Sequence, residues 1–170
     1  MPRKAKTSKN EAPEKVVPAK EITVEYGIAT RNDVPQILEL YKQLHPTIDP
    51  LENFSKRDAN RTWNQIERDR VKYFIAKDGD KIVASCYIAI IPNLTYHGKS
   101  IGYIENVIVD EKYQRKGIGK KIMAMAIHHA MVNHCFKVVL LSTTHRTEAH
   151  KFYEKLGFNG EISKAFKLLI

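Results

Sequence analysis

No apolar run in this sequence approaches the roughly 18 residues needed to cross a bilayer, which argues against a membrane span. The stretch Met1 to Lys20 also lacks the apolar segment of a secretory signal, so a cytoplasmic location is the expectation. Cysteine is scarce. Cys86 and Cys135 stand without metal-type spacing and are expected as reduced, small apolar side chains in or beside strands. Adjacent His128 and His129 would diverge by roughly 100° on a helix, so no metal site is expected. Two phosphate-binding patterns are missing. Without Gly-x-x-x-x-Gly-Lys-Ser/Thr the chain does not read as a nucleoside triphosphatase, and without Gly-x-Gly-x-x-Gly after a strand it does not read as a dinucleotide fold. No motif for DNA or RNA accompanies the basic charge, which sets nucleic acid aside as the partner.

What is present is enough apolar residue, 43% of 170, to build one core. The net charge of +9 is unevenly placed, with +4 in residues 1–20 and +5 in the rest. Residues 1–20 are rich in Lys, Pro, Ala and Glu and have no aromatic side chain. They cannot bury enough surface to offset ordering entropy and read as a flexible basic tail. Residues 21–170 read as the folded domain, whose mild positive charge suits an anionic ligand.

Alternation at Ile22, Val24, Tyr26 and Ile28 predicts a first strand. Asn32 is placed to cap a helix with Asp33 and Pro35 in its first turn and Val34, Ile37, Leu38, Tyr41 and Leu44 on one face, ending at His45-Pro46. A second helix is predicted from about Ser55 to Arg70, with Ala59, Trp63 and Ile66 on its apolar side. Tyr73 to Ala76 and Lys81 to Ile91 form a hairpin around Asp78-Gly79-Asp80. Further strands are expected at Ile101–Val109, Val138–Leu141 and Phe166–Ile170, and helices at about Gly117–Asn133 and Thr147–Leu156, the latter closed by Gly157. This is an α/β order. The crossover from Val109 through the Gly117 helix makes Ile101–Val109 and Val138–Leu141 parallel neighbours, and ligands bind at the carboxyl ends of such strands.

That end is Gln114-Arg115-Lys116-Gly117-Ile118-Gly119-Lys120. Two glycines where a loop becomes a helix leave backbone N–H groups open, at the positive end of the helix dipole, to a diphosphate. Gln114-x-x-Gly117-x-Gly119, preceded by Ile104-Glu105-Asn106-Val107-Ile108-Val109-Asp110, resembles the acetyl-CoA motif of the GNAT superfamily of N-acetyltransferases. Ala149-x-x-x-Tyr153-Glu154-Lys155-Leu156-Gly157-Phe158 resembles the closing helix of the same superfamily. The resemblance runs from about Ile22 to the C-terminus.

The resemblance implies a mixed, mostly antiparallel sheet with helices on both faces and a splayed parallel strand pair holding acetyl-CoA, the acetyl donor. It implies that the backbone of Arg115, Lys116, Gly117, Ile118, Gly119 and Lys120, with Gln114, holds the diphosphate. Val107, Ile108 and Val109 would pair with the pantetheine arm, and a strand N–H near Asn106 or Val107 would meet the oxyanion. Tyr153 matches the tyrosine that protonates the leaving thiolate, and Glu105 matches a carboxylate that acts as base or binds the acceptor. Asn106 is a further candidate for orienting the acceptor, His145 and His150 for base, and Tyr96 and Tyr103 for lining the acceptor side. Arg146, seven residues before Tyr153, stands where many relatives carry Asn, which leaves a contact to a CoA phosphate or an anionic acceptor open.

The expected activity is transfer of acetyl from acetyl-CoA to a primary amine of a small molecule by direct attack, without metal, in a chain that forms a homodimer as members often do. Two alternatives stand beside it. One is a protein acetyltransferase recruited through the basic tail, and the other a non-catalytic acyl-CoA-binding module.

Overall fold

The structure, a computed structural model, describes residues 23–44, 51–168 and 170. The basic segment 1–20, Ile22 and the His45-Pro46 helix end lie outside the described residues. Strands β1 (Val24–Ile28), β2 (Val71–Asp78), β3 (Lys81–Ile91), β4 (Ser100–Val109) and β5 (Cys135–Leu140) alternate with helices α1 (Val34–Tyr41), α2 (Lys56–Arg68), α3 (Ile118–Val132) and α4 (Thr147–Lys155). One sheet runs β1-β2-β3-β4-β5, antiparallel except for the parallel pair β4–β5. The mixed sheet and its parallel pair agree with the expectation. So does the hairpin of β2 and β3 at Gly79, whose φ of +57° is the left-handed turn position that glycine supplies.

Each face of the sheet carries its own core. On one side Phe74, Ala84, Cys86, Ile88 and Ile104 meet Ile122, Met123 and Ala126 of α3 and Tyr153 of α4. On the other, Ile75, Ile82 and Ile108 meet Ile37, Leu40 and Tyr41 of α1 and Trp63 of α2. Cys86 is buried in the first core and Cys135 is half-buried, and both are free thiols.

Three local expectations are corrected. Asn32 is not the cap of the first helix. Thr30 donates from its backbone N and its Oγ1 to Asp33 Oδ2, at 2.8 Å each, so a 3₁₀ turn over Arg31–Asp33 precedes α1. The strand β5 begins three residues earlier than Val138, because Cys135 and Lys137 already pair with Ser100 and Ile101. The last predicted strand is not formed. Phe166, Leu168 and Ile170 alternate as a strand would, yet all three are exposed, and no strand among the described residues pairs with them. An alternating pattern stabilises a strand only when a neighbour supplies backbone partners and cover.

Two buried carboxylates tie loops to the sheet. Asp33 pairs with Lys77 at 2.6 Å and Asp110, at the end of β4, with Lys81 at 2.7 Å. Burial pushes both carboxyls up, but the lysine and backbone hydrogen bonds outweigh it and hold both below the usual carboxylate range. A depressed folded value means stability that is present above the unfolded value of about 4 and is lost as pH falls through the folded one. Denaturant midpoints should therefore hold steady from neutral pH to about 5 and drop steeply below about 4. In an Asp33→Asn, Asp110→Asn double variant the neutral midpoint should be lower and the acid limb flatter. An acid limb identical to the parent's would refute this account.

Candidate active site

The parallel ladder stops halfway along β4. Its last pair is Ile104 with Leu140, whereas β4 continues to Val109. From Glu105 to Val109 the β5 side of the strand therefore has no strand partner among the described residues, and this unpaired edge of β4 is the slot.

A bulge sits at the start of this slot. Ser85 pairs with Ile108 and Tyr87 with Glu105, so Cys86 alone faces Asn106 and Val107. Asn106 takes a φ of +51°, a left-handed conformation that Asn tolerates better than most residues. The extra residue also decides which way the strand faces. Ile104 belongs to the α3 core and Ile108 to the α1 core, although four residues apart on a regular strand they would share a face. Val107 and Val109 pack towards α3 and Glu105 shares the face of Tyr87, its register partner. The side chains of Val107, Ile108 and Val109 are thus committed to packing, and their backbone is what remains for a ligand.

At the far end of the slot lies the glycine loop. Gln114 Nε2 donates to the Val109 carbonyl at 3.0 Å, tying the loop to the strand end. Arg115 and Gly117 both take positive φ, +59° and +79°. Gly117 caps α3, and nothing lies within 4 Å of where its Cβ would be. Gly119 is required for a different reason. A Cβ there would come within 3.3 Å of Phe152 Cζ and 3.4 Å of Val109 Cγ2, so this glycine lets the helix start press on α4 and β4. Ile118 is buried in the core and can offer a ligand only its N–H. The N–H groups that open α3 have no partner within the helix, and space lies open above Gly117. The loop therefore fits an anion such as a diphosphate. Arg115 and Lys120 are exposed and make no ion pair among the described residues, whereas Lys116 Nζ donates to the Lys112 carbonyl at 2.8 Å.

Tyr153 approaches from α4. That helix ends with Gly157 N–H donating to Glu154 O at 2.9 Å and Phe158 N–H to Tyr153 O at 3.1 Å, with Gly157 at φ +92°. The apolar contact that accompanies this closure is the edge-on packing of Phe158 against the Tyr153 ring, centroids 6.2 Å apart. The run Tyr-x-x-x-Gly-Phe is thus a device that fixes the tyrosine. Its hydroxyl makes no hydrogen bond to the protein among the described residues. Burial pushes its pKa up, the charge of Arg146 partly counters this, and Cys86 and Glu105 add to the rise. Tyr153 consequently stays protonated at neutral pH, as a proton donor must.

On the opposite face Glu105 Oε1 accepts from Tyr103 Oη at 2.9 Å. Burial and this bond push the Tyr103 hydroxyl up to about 12. Tyr87 rises through burial and the charge of Glu105. Tyr41 Oη and Ser85 Oγ lie buried behind the bulge beside Asn106, with no hydrogen bond of good geometry.

Of the remaining candidates, His150 Nε2 meets the Thr143 carbonyl at 3.0 Å and His145 Nε2 meets Thr143 Oγ1 at 3.4 Å, a local arrangement at the start of α4. Arg146 is exposed at the same helix start. Tyr96 is not an acceptor-side residue. It stacks on Phe136 at 4.0 Å, beside the first residues of β4 and β5, at the end of the ladder away from the slot. Sequence reasoning missed Tyr41, Tyr73, Ser85 and Tyr87, because only strand register, and for Tyr41 the packing of α1 on the sheet, brings them beside Glu105 and Asn106.

The acetyltransferase (GNAT) family model matches residues 34–158, most of the chain. The chain belongs to that family. It is 30% identical over 139 residues to glucosamine 6-phosphate N-acetyltransferase of Trypanosoma brucei brucei, covering 81% of this chain and 90% of that one. It is also 30% identical over 146 residues to N-alpha-acetyltransferase 30 of Homo sapiens, covering 84% of this chain but only 37% of that one. Among solved structures, a putative acetyltransferase from Agrobacterium tumefaciens str. C58 superposes with a TM-score of 0.78 at 30% identity, covering 86% of this chain and 99% of that chain. The protein is an acetyl-CoA-dependent N-acyltransferase. Among the described residues no group of His, Cys, Asp and Glu could hold a metal ion, and no helix is long and apolar enough to cross a membrane.

Proposed function

We propose that the enzyme transfers the acetyl group of acetyl-CoA to the primary amine of a small molecule by direct attack, in the cytoplasm. One observation carries this reading. The β4–β5 ladder ends at Ile104 and Leu140, so the slot beyond runs from the open amides of α3 to the level of Glu105 and Tyr153. The thioester brings an activated acetyl group. The amides opening α3 and the side chains of Arg115 and Lys120 hold its diphosphate. Glu105 takes the proton that an amine of pKa near 10 must lose before attack, directly or through water. A β4 N–H at the bulge stabilises the oxyanion, and Tyr153 gives its proton to the departing thiolate.

The small acceptor is favoured by relatives named for small amines, glucosamine 6-phosphate and spermine/spermidine N-acetyltransferases. Thiol release across amines, amino sugars, amino acids and a lysine peptide tests this, and turnover confined to the peptide would reject it. Deleting residues 1–20 should leave small-amine turnover within about twofold, because the cations of the loop itself, Arg115 and Lys120, belong to residues 21–170. A large loss on deletion would support recruitment through the tail instead. The reading includes a homodimer, supported by the outer edge of β5, unpaired among the described residues, and by the exposed Phe166, Leu168 and Ile170. Sedimentation of a monomer at micromolar concentration would remove that part.

A further inference from the structure

Glu105 is a half-buried carboxylate without a counter-ion. The two buried aspartates each hold a lysine, but among the described residues no Lys, Arg or His lies within ion-pair distance of Glu105. Its only described hydrogen bond comes from Tyr103 Oη onto Oε1. A carboxylate has about four lone-pair sites, so most of its accepting capacity is unspent. Drawing such a charge partly out of water is costly unless a cation joins it. The described residues supply none, and a cationic ligand would.

The surroundings of Glu105 are aromatic. Register places Tyr73, Tyr87 and Glu105 in one row across β2, β3 and β4. Tyr73 and Tyr87 stack at 4.9 Å, and Trp63 of α2 leans on Tyr73 at 5.8 Å. Tyr103, two residues before Glu105, lies on the same face. Tyr73, Tyr87, Tyr103 and Glu105 are all half-buried, so their surfaces are partly open. Aromatic faces carry negative quadrupole density and attract organic cations. Both features repel an anion. Arg146, the cation whose field reaches Tyr153, begins α4, the helix packed on the opposite face.

We infer that this row is the acceptor floor and that the acceptor is an unphosphorylated organic ammonium, a primary amine on an alkyl or arylalkyl body, held by Glu105 with its carbon body against the tyrosine rings. The inference rests on the acetyl-transfer reading above. It sets this chain apart from an enzyme for a phosphorylated amino sugar, because a phosphate on this floor would meet a free carboxylate and ring faces.

The test uses the full chain at saturating acetyl-CoA with three acceptors: phenethylamine, 1,4-diaminobutane and glucosamine 6-phosphate. The kcat/KM for phenethylamine or 1,4-diaminobutane should exceed that for glucosamine 6-phosphate by about tenfold or more. Tyr87→Leu should shrink that ratio through KM while calorimetric acetyl-CoA binding is unchanged. Tyr103→Phe, which keeps the ring and removes the hydroxyl that orients Glu105, should raise the amine KM several-fold, roughly the loss of one hydrogen bond to a charge, and does not depend on Tyr87→Leu folding. Preference for glucosamine 6-phosphate, or an unchanged ratio and KM in both variants, overturns the floor and leaves acetyl transfer standing. Acetyl-CoA binding without thiol release to any acceptor overturns the transfer reading and the floor with it.

Discussion

Replacing Tyr153 with Phe is expected to lower acceptor-dependent thiol release by about 100-fold or more, the usual contribution of a positioned general acid. Acetyl-CoA affinity measured by calorimetry should change little. The substitution is a clean one here. The ring keeps its contacts with Phe152 and Phe158, and the backbone closure through Gly157 and Phe158 does not involve the hydroxyl. Only the proton donor goes. A purely structural tyrosine would behave differently, leaving both the rate and the melting temperature nearly unchanged. The pH profile gives a second readout. Burial raises the Tyr153 pKa, so the protonated form persists through neutral pH and is lost only on the alkaline side of the ordinary tyrosine value near 10. The parent rate should therefore hold up to that range and fall above it, and this limb should vanish from the residual rate of Tyr153→Phe. If thiol release is unaltered, Tyr153 is not the acid.

How much of this is legible in the sequence depends on the range over which each signal acts. The boundaries of β3 are readable because alternation and the Asp78-Gly79-Asp80 turn are local. The glycine loop is readable because the positive φ of Gly117 is a demand on one residue. The reason for Gly119 is not readable, since Phe152, 33 positions later, sets it. Asn106 illustrates the same limit. Read as a chemical group it suggests contact with the acceptor, whereas in the fold its first duty is a left-handed bulge that sends Ile104 and Ile108 to opposite cores. Strand alternation at Phe166–Ile170 is real as a pattern, but pairing needs a neighbour that the described residues do not supply. The aromatic row beside Glu105 depends on the registers of two hairpin pairs, and Glu105 lies 32 positions after Tyr73. A one-residue slip in either pairing would turn one of these side chains to the other face.

Gly117→Val should produce the other large effect, a loss of acetyl-CoA affinity of about tenfold or more. No protein atom would clash with the first carbon of the new side chain, because nothing lies within 4 Å of where that Cβ would stand. The cost is in the backbone. At φ +79° a β-branched residue is strongly disfavoured, by roughly 1–2 kcal/mol or more. The loop relieves that strain by rotating the peptides on either side of residue 117, and these carry amides at the mouth of the slot. The side chain would also occupy the space that a diphosphate needs. Two neighbours serve as contrasts. Lys120→Ala removes one exposed charge and should weaken binding only a few-fold, in a manner that salt abolishes. Gly119→Ala presses on Phe152 and Val109, so its first effect should be a lower melting temperature from overpacking, of order 1–3 kcal/mol. Affinity lost at Gly117 without comparable loss of stability, and stability lost at Gly119, would separate an amide cradle from a packing joint at positions two residues apart. Equal acetyl-CoA affinity in Gly117→Val and the parent would mean that the diphosphate is held elsewhere.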